Sequence, residues 1–153
     1  MQQKNRNTVA AMALSAVALV GLVSHEGYRQ VTYIPVEGDV PTIGFGTTTG
    51  VRPGDTIDPV TALQRAMVDV QKFEGALKQC VTAPLAQHEY DAYISLSYSI
   101  GASAFCNSTL VKKLNALDYE GACLEILRWD KFKGRPLRGL TIRRQGEYQQ
   151  CIG

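Results

Sequence analysis

The chain has 153 residues, of which 45% are hydrophobic and 20% are charged. This composition predicts one folded domain and excludes a disordered or low-complexity chain. Its net charge of +2 is too small to predict nucleic-acid binding, but residues 112–153 carry nine Lys or Arg against five Asp or Glu, whereas residues 1–111 carry seven against nine. The basic C-terminal part indicates either an anionic partner, which could be a cell-wall polymer, a membrane surface or nucleic acid, or a solvated helix face.

The N-terminus carries a predicted export segment. Lys4 and Arg6 precede residues 7–24, which contain no charged side chain. As a helix this segment would span roughly 27 Å, just short of the ~30 Å hydrocarbon core of a bilayer, and its alanines and glycine make it only weakly apolar. Positive residues before an apolar segment predict that the N-terminus stays in the cytoplasm while the rest of the chain is exported.

Three interpretations of residues 7–24 are open: a cleaved signal peptide, an uncleaved membrane anchor and a buried core helix. The small residues Ala16 and Ala18 fit a signal-peptide cleavage site. Cleavage there would leave Glu26 close to a frayed new terminus, so we favour the uncleaved anchor. The predicted organisation is an N-terminal segment of residues 1–24, with a cytoplasmic tip, followed by a folded domain of residues 25–153.

A β-hairpin is predicted over residues 31–46. Apolar and polar residues alternate on both sides of a Gly-Asp turn, and a lone acid, Glu26, stands between the apolar segment and the hairpin. Gly44 and Gly46 would fall on one face of the second strand, and glycines in a strand often mark the close approach of a ligand or another backbone. The hairpin is therefore a candidate site that faces an acidic side chain.

Five helices are predicted after the hairpin. The first begins after the cap Asp58 and runs to about Cys80, because apolar residues recur there at helical spacing. The others are predicted at about 86–99, after a cap at Asn107 or Ser108, at about 119–129 and at roughly 141–151, with a basic loop over 130–140. The predicted fold class is α+β and mostly helical.

Four cysteines follow the export segment. An even number of cysteines in an exported chain favours disulfides, with three possible connectivities, although free buried cysteines are the alternative. Cys80 and Cys106 bracket the second helix, and Cys123 and Cys151 lie on the inward faces of two successive helices, so we predict the pairs Cys80–Cys106 and Cys123–Cys151. The histidines and cysteines lack zinc-site spacing, so neither a metal nor a cofactor is predicted.

Two stretches of the sequence resemble the phage lysozymes, glycoside hydrolase family 24. The N-terminal motifs of the family's sequences resemble HEGYR and PTIGFGTT. The family's second helical lobe resembles DAYISLSYSIGASAFCNSTLVKKLN, GACLEILRW, PLRGLTIRR and the late Glu147. The resemblance covers about residues 24–152. It implies a lysozyme-like fold, in which a small β-hairpin lobe and a larger helical lobe enclose a glycan cleft, and a monomeric enzyme that hydrolyses the β-1,4 bond between N-acetylmuramic acid and N-acetylglucosamine in peptidoglycan.

The apolar N-terminus makes the chain similar to the signal-arrest-release (SAR) endolysins. That similarity implies export by the host secretion machinery, inactive tethering in the inner membrane through residues 7–24, and release into the periplasm. Two other functions remain open at this point. A lytic transglycosylase would cleave the same bond with one glutamate, and a membrane-tethered wall-binding protein would not be catalytic.

The family's catalytic pattern is a Glu, eight residues, an Asp, five residues and a Thr. Glu26 and Thr42 match its ends, but Pro35 and Val36 stand where the Asp belongs. We favour Asp39 as the second carboxylate, because Gly38 gives it a turn from which to face the cleft; Glu37, or no partner at all, are the alternatives.

The resemblance also implies a role for each site residue. Glu26 would donate a proton, Asp39 would orient water or stabilise positive charge, and Thr42 would hydrogen-bond that water. An apolar neighbourhood would favour the protonated acid that this requires. The predicted substrate-binding residues are Gly44, Gly46, Arg143 and Arg144.

Overall fold

The structure, a computed structural model, describes residues 5–153. Lys4, one of the two cations predicted to set the membrane orientation, lies outside this range. The chain divides into two compact units: a hairpin unit of Leu19–Lys72, and a helical unit of Phe73–Gly153 together with the N-terminal residues up to Ala18. The boundaries between the units fall within two helices, so each unit is described by itself.

The described elements follow one another in this order: a 3-10 turn (Val9–Ala11), α1 (Ala16–Glu26), β1 (Arg29–Tyr33), β2 (Thr42–Gly44), α2 (Pro59–Cys80), α3 (Gln87–Ile100), α4 (Ala102–Cys106), α5 (Thr109–Asn115), α6 (Tyr119–Glu125), a second 3-10 turn (Ile126–Arg128), β3 (Lys131–Phe132), β4 (Arg135–Pro136) and α7 (Arg138–Ile152). The mostly helical α+β class and the small β-hairpin are confirmed.

In the hairpin unit, β1 pairs antiparallel with β2. Tyr33 lies opposite Thr42 and Arg29 opposite Gly44, so β1 bulges between these two pairs. The predicted turn is present, because the Asp39 amide donates to the Val36 carbonyl at 2.9 Å. The strand β2 is shorter than predicted. It ends at Gly44, whose φ of +63° bends the chain out of the extended conformation.

The core of the hairpin unit is small and joins the hairpin to α2. Ile43, Ile57 and Ala62 are buried together, and Phe45 packs against them. The Tyr28 hydroxyl donates to the Ile57 carbonyl at 2.6 Å, which ties the start of the hairpin to the loop before α2. Burial of this apolar cluster therefore holds the hairpin in place without a large sheet.

The helical unit is built around α3. Consecutive residues of this helix are buried, from Glu89 through Ile94, and such a helix needs neighbours on every side. It packs most extensively against α7, and α5 packs against α6. The largest fully buried apolar side chains of this unit are Tyr90, Tyr93, Phe105, Leu77, Leu85, Ile94, Leu96, Leu110 and Leu114.

The predicted helix starts that carry a capping residue are confirmed. Asp58 accepts the Thr61 amide at 2.9 Å before α2, and Ser108 accepts the Val111 amide before α5. Two predictions at the C-terminus are wrong in detail. The basic loop 130–140 contains the short antiparallel pair β3–β4, and α7 begins three residues before the predicted 141 because Leu137 already has the extended backbone of an N-cap.

The N-terminal residues 6–15, which we call the strap, bind the helical unit. Asn7 exchanges two backbone hydrogen bonds with Leu85, at 2.7 and 2.9 Å. The Arg6 guanidinium makes two hydrogen bonds to the Glu89 carboxylate, at 2.9 and 3.0 Å, and lies 3.5 Å from the centre of the Tyr119 ring. These contacts raise the pKa of Arg6, chiefly through the hydrogen bond to Glu89.

The C-terminal part of the strap is held by two further carboxylates. The Leu14 amide donates to Glu74 at 2.6 Å, and the Ser15 amide and hydroxyl both donate to Asp91, at 3.0 and 2.7 Å. The Ser15 hydroxyl also accepts the Ala18 amide and so caps α1. Among residues 5–153, no helix combines the length and the apolar character that crossing a membrane requires.

Both predicted disulfides are present. Cys80 is bonded to Cys106 and Cys123 to Cys151, with Cα–Cα distances of 5.6 and 5.7 Å. Both sulfurs of the second bridge lie near the buried Tyr93 hydroxyl, which is 3.3 Å from the Cys151 sulfur. The pairs close loops of similar length, with sequence separations of 26 and 28 residues.

We expect each disulfide to add ~3–4 kcal/mol to the free energy of unfolding, because loops of this length restrict the unfolded chain by that amount. The double replacements Cys80→Ala with Cys106→Ala, and Cys123→Ala with Cys151→Ala, are compared with wild type by urea denaturation. Similar losses in both variants are expected. A midpoint that does not move in either variant would contradict the prediction.

Candidate active site

Glu26 is the last residue of α1 and stands at the junction with β1. Gly27 follows with a φ of +68°, a conformation that glycine adopts without strain, and its amide closes the last turn of α1 on the Val23 carbonyl. The helix therefore delivers the Glu26 side chain, which is half-buried, to the start of the hairpin. Because Glu26 is the last residue of a regular helix, the direction of its side chain is defined.

The backbone of Gly46 lies directly against the Glu26 carboxylate. A Cβ added to Gly46 would stand 2.7 Å from Glu26 Oε2 and 3.1 Å from its Cδ. Gly46 also has a φ of +84°, so both the space and the backbone conformation require glycine here. The predicted close approach at this glycine is thus to the Glu26 side chain, and substrate binding by Gly46 stays a prediction.

Gly44 is packed against the first turn of α2. A Cβ at this position would lie 3.0 Å from the Ala62 Cβ, closer than side chains normally approach. The contact explains why glycine is needed at the end of β2 without reference to a ligand. The expected role of Gly44 in substrate binding therefore stays a prediction.

A tight turn over residues 43–47, which we call the 43–47 turn, connects these two glycines. Ile43 and Thr47 exchange backbone hydrogen bonds in both directions, at 2.9 and 3.0 Å. The Thr47 hydroxyl donates to Asp69 Oδ2 of α2 at 2.7 Å. Sequence reasoning missed Asp69 because an acid on a helix face carries no local signal that it accepts a hydrogen bond from a distant turn.

Thr42 precedes this turn and is almost fully buried, with 4% of its surface exposed. Its hydroxyl donates to the Val40 carbonyl at 3.0 Å, which fixes the side-chain rotamer. The hydroxyl oxygen still has a lone pair with which to accept a hydrogen bond. Thr42 thus presents an oriented acceptor at the start of β2.

The two candidate second carboxylates differ in their surroundings. Asp39 is half-buried at the end of the 36–39 turn, and its Oδ1 accepts the Val40 amide at 2.8 Å. Glu37 lies in the exposed part of the same turn. Asp39 is thus held in a fixed orientation next to the strand that carries Thr42.

Tyr33, opposite Thr42 on β1, is electrostatically coupled to both Glu26 and Asp39. Burial raises the pKa of Tyr33, and the Glu26 carboxylate raises it further; Arg29 lowers it and Asp39 raises it. The Arg29 guanidinium lies 4.8 Å from the centre of the Tyr33 ring. Both candidate carboxylates therefore act on the pKa of Tyr33 in the same direction, with a larger effect from Glu26 than from Asp39. Sequence reasoning missed it because its position depends on the bulge in β1.

Arg143 and Arg144 belong to the helical unit and are buried on α7. Arg143 Nε lies 3.2 Å from Glu147 Oε1, and Arg144 Nε lies 2.8 Å from Glu147 Oε2. The Ser95 hydroxyl of α3 donates to the same carboxylate at 2.7 Å. This cluster joins α7 to α3 through a paired buried charge. The predicted role of the two arginines in substrate binding has no support from these contacts and stays a prediction.

Comparisons with known proteins agree on one family. The family model described as Phage lysozyme matches residues 23–147. The chain is 39% identical to the endolysin of Acyrthosiphon pisum secondary endosymbiont phage 1 over 89% of this chain and 95% of the relative, and 34% identical to the SAR-endolysin of Pseudomonas phage phiKMV over 92% and 89%. The solved endolysin from Escherichia coli O157:H7 phage FAHEc1 has a TM-score of 0.80 at 31% identity, and the similarity covers 93% of this chain and 94% of that one.

We expect Gly46→Ala to lower the turnover of the predicted muramidase about tenfold or more, because the new methyl group displaces the Glu26 carboxylate or the 43–47 turn. The matched control is Gly50→Ala. Gly50 also has a positive φ, +70°, but no heavy atom lies within 4 Å of its added Cβ. Both variants should lose ~1–2 kcal/mol of stability from the strained backbone. Equal turnover losses in the two variants would show that the contact with Glu26 does not matter.

Proposed function

This chain belongs to the phage lysozyme family, a family of glycoside hydrolases, and we propose that it is an endolysin that lyses the host by hydrolysing peptidoglycan. The scissile bond is the β-1,4 bond between N-acetylmuramic acid and N-acetylglucosamine. The observation that carries this proposal is the arrangement of Glu26 at the end of α1, with its carboxylate against Gly46, in the same unit as Thr42 and Asp39.

Glu26 is the proton donor in this mechanism. Cleavage of a glycosidic bond requires a proton on the leaving oxygen and stabilisation of an oxocarbenium-like centre. The Gly46 backbone limits the positions that the Glu26 carboxylate can take, and this constraint favours a single direction of proton transfer. Thr42 supplies an oriented acceptor for the attacking water.

Asp39 is the second carboxylate of the proposed site. Three features support it over Glu37: its half-buried position, its anchored Oδ1, and the effect it shares with Glu26 on the pKa of Tyr33. A carboxylate so placed stabilises positive charge on the sugar or orients the water that Thr42 binds. The Asp39 side chain thus takes over, from a later position in the chain, the role that the family pattern gives to an earlier Asp.

Membrane tethering regulates this activity in our proposal. SAR-endolysins are among the relatives, and residues 7–24 are uncharged. Residues 1–24 form the signal-anchor segment, which enters the inner membrane through the host secretion machinery with its N-terminus in the cytoplasm and the domain of residues 25–153 in the periplasm. A chain that spans the bilayer with residues 7–24 cannot at the same time make the strap contacts.

The contacts of the strap support the proposal that release from the membrane activates the enzyme. Its contacts with Glu74, Glu89 and Asp91 are specific hydrogen bonds to side chains that are buried or half-buried. Such contacts give the released segment a folded alternative to the membrane. The Ser15 hydroxyl of the docked strap accepts the Ala18 amide and so caps α1, the helix whose last residue is Glu26.

We expect Glu26→Gln to abolish lysis, because the amide cannot donate the required proton. Turbidity of outer-membrane-permeabilised Gram-negative cells is followed for wild type, Glu26→Gln, Asp39→Asn, Glu37→Gln and Thr42→Ala. Asp39→Asn and Thr42→Ala should lose most activity, and Glu37→Gln should retain it.

The products of the same assay separate the rival functions. A new reducing end is expected for hydrolysis, whereas a 1,6-anhydro sugar would identify a lytic transglycosylase. Full lytic activity of Glu26→Gln would contradict the proposed mechanism. Wall binding without any glycan cleavage by the wild type would instead identify a non-catalytic binding protein.

We expect Gly21→Leu to hold more of the protein in the membrane fraction and to delay lysis, because leucine makes residues 7–24 more apolar. The folded form tolerates the change, since no heavy atom lies within 4 Å of an added Cβ at Gly21. Gly75→Leu is the control: this glycine of α2 has equally open surroundings but lies outside the anchor. Identical membrane fractions and lysis times for the two variants would overturn the tethering proposal.

A further inference from the structure

The 43–47 turn connects two of the proposed catalytic residues, Glu26 and Thr42, to α2. We propose that Asp69 is a positioning residue for Glu26 and Thr42 and that it acts by anchoring Thr47. This inference rests on the proposed function, in which Glu26 is the proton donor. Asp69 does not touch the reacting groups, so its contribution is to geometry.

The anchor itself is a short hydrogen bond between a buried hydroxyl and a carboxylate. Thr47 is 2% exposed, and its hydroxyl lies 2.7 Å from Asp69 Oδ2. A hydrogen bond to an ionised acceptor is stronger than one between neutral groups. Removal of the acceptor would leave the Thr47 hydroxyl buried with an unpaired proton, which is costly enough to make the turn move.

The 43–47 turn links the anchored Thr47 to both Glu26 and Thr42. On one side Gly46 precedes Thr47 and lies against the Glu26 carboxylate. On the other side the paired backbone of Ile43 is directly bonded to Thr42. A shift of the turn therefore moves the surface that confines the proton donor together with the residue that binds the water. Misplacement of a reacting group by about 1 Å costs on the order of 100-fold in rate.

The position of Asp69 favours an anchoring role over a role as a surface ion pair. Its nearest cation, Lys72, lies 3.9 Å away with a side chain that is 58% exposed, and exposed pairs of this kind stabilise a protein very little. By contrast, α2 is a helix of 22 residues that offers a rigid base. The apolar contact of Ile43 with Ala62 keeps the hairpin folded when the anchor is lost, so we expect a loosened turn in a folded protein.

The experiment measures kcat and KM on a soluble peptidoglycan fragment for Asp69→Ala, Asp69→Asn, Thr47→Val and Thr47→Ser. We expect Asp69→Ala and Thr47→Val to lower kcat about 10- to 100-fold, with KM changed less than about threefold. Thr47→Ser and Asp69→Asn keep a donor and an acceptor at the two positions and should retain most of the rate. The double variant of Asp69→Ala and Thr47→Val should be no slower than either single variant, because both remove the same contact.

Asp58→Ala is the matched control for stability. Asp58 caps the same helix through Thr61 and lies outside the turn, so its loss should lower stability by ~1 kcal/mol without a change in kcat. Thermal denaturation of every variant ensures that rates are compared well below the unfolding transition.

Two results would overturn the positioning role: an unchanged kcat in Asp69→Ala, or kcat losses that add fully in the double variant. Glu26→Gln is measured in parallel. If Glu26→Gln is fully active, the proposed function is wrong; if it is inactive while Asp69→Ala is normal, only the inference about Asp69 is wrong.

Discussion

The contact between the Gly46 backbone and the Glu26 carboxylate is the constraint on which the candidate site depends. It joins the end of α1 to the hairpin, and a larger residue at position 46 would force the Glu26 carboxylate or the turn to move. Two proposed functions fall on α1: its residues 16–24 belong to the proposed membrane anchor, and its last residue, Glu26, is the proposed proton donor. Under the tethering proposal, this segment would have to leave the membrane before Glu26 could act, and activity would then depend on where the segment lies.

The strap supplies hydrogen bonds to buried carboxylates of the helical unit. Glu89 and Asp91 are buried on α3, and each receives hydrogen bonds from the strap. Buried carboxylates that lose donors are destabilised, so the helical unit is more stable with the strap bound than without it. Glu89 also accepts the Ala86 amide at the start of α3, and Asp91 accepts the Gln87 amide group. These donors from the start of α3 do not depend on the strap.

Sequence reasoning worked where local chemistry determines the structure. Helix α2 has the predicted bounds because Asp58 caps it and helical periodicity continues to Cys80, and the disulfides follow from where cysteines fall on the helices. The individual contacts of the strap were not predicted, because an alanine-rich segment gives no indication that its backbone binds Glu74 and Asp91. The role of Tyr33 was missed for a similar reason, since a bulge in β1 places it opposite Thr42.

The proposed second carboxylate, Asp39, lies at the end of the hairpin turn. Pro35 and Val36 occupy the family's Asp position, and the connection to Thr42 is one residue longer than the pattern. The segment between them contains the 36–39 turn, where Gly38 has a φ of +81°. Strand pairing fixes Thr42 opposite Tyr33. A longer turn therefore alters the course of the chain between these two residues but leaves their pairing unchanged. The carboxylates of Glu26 and Asp39 both raise the pKa of Tyr33, in agreement with the proposal that Asp39 is the second acid of the site.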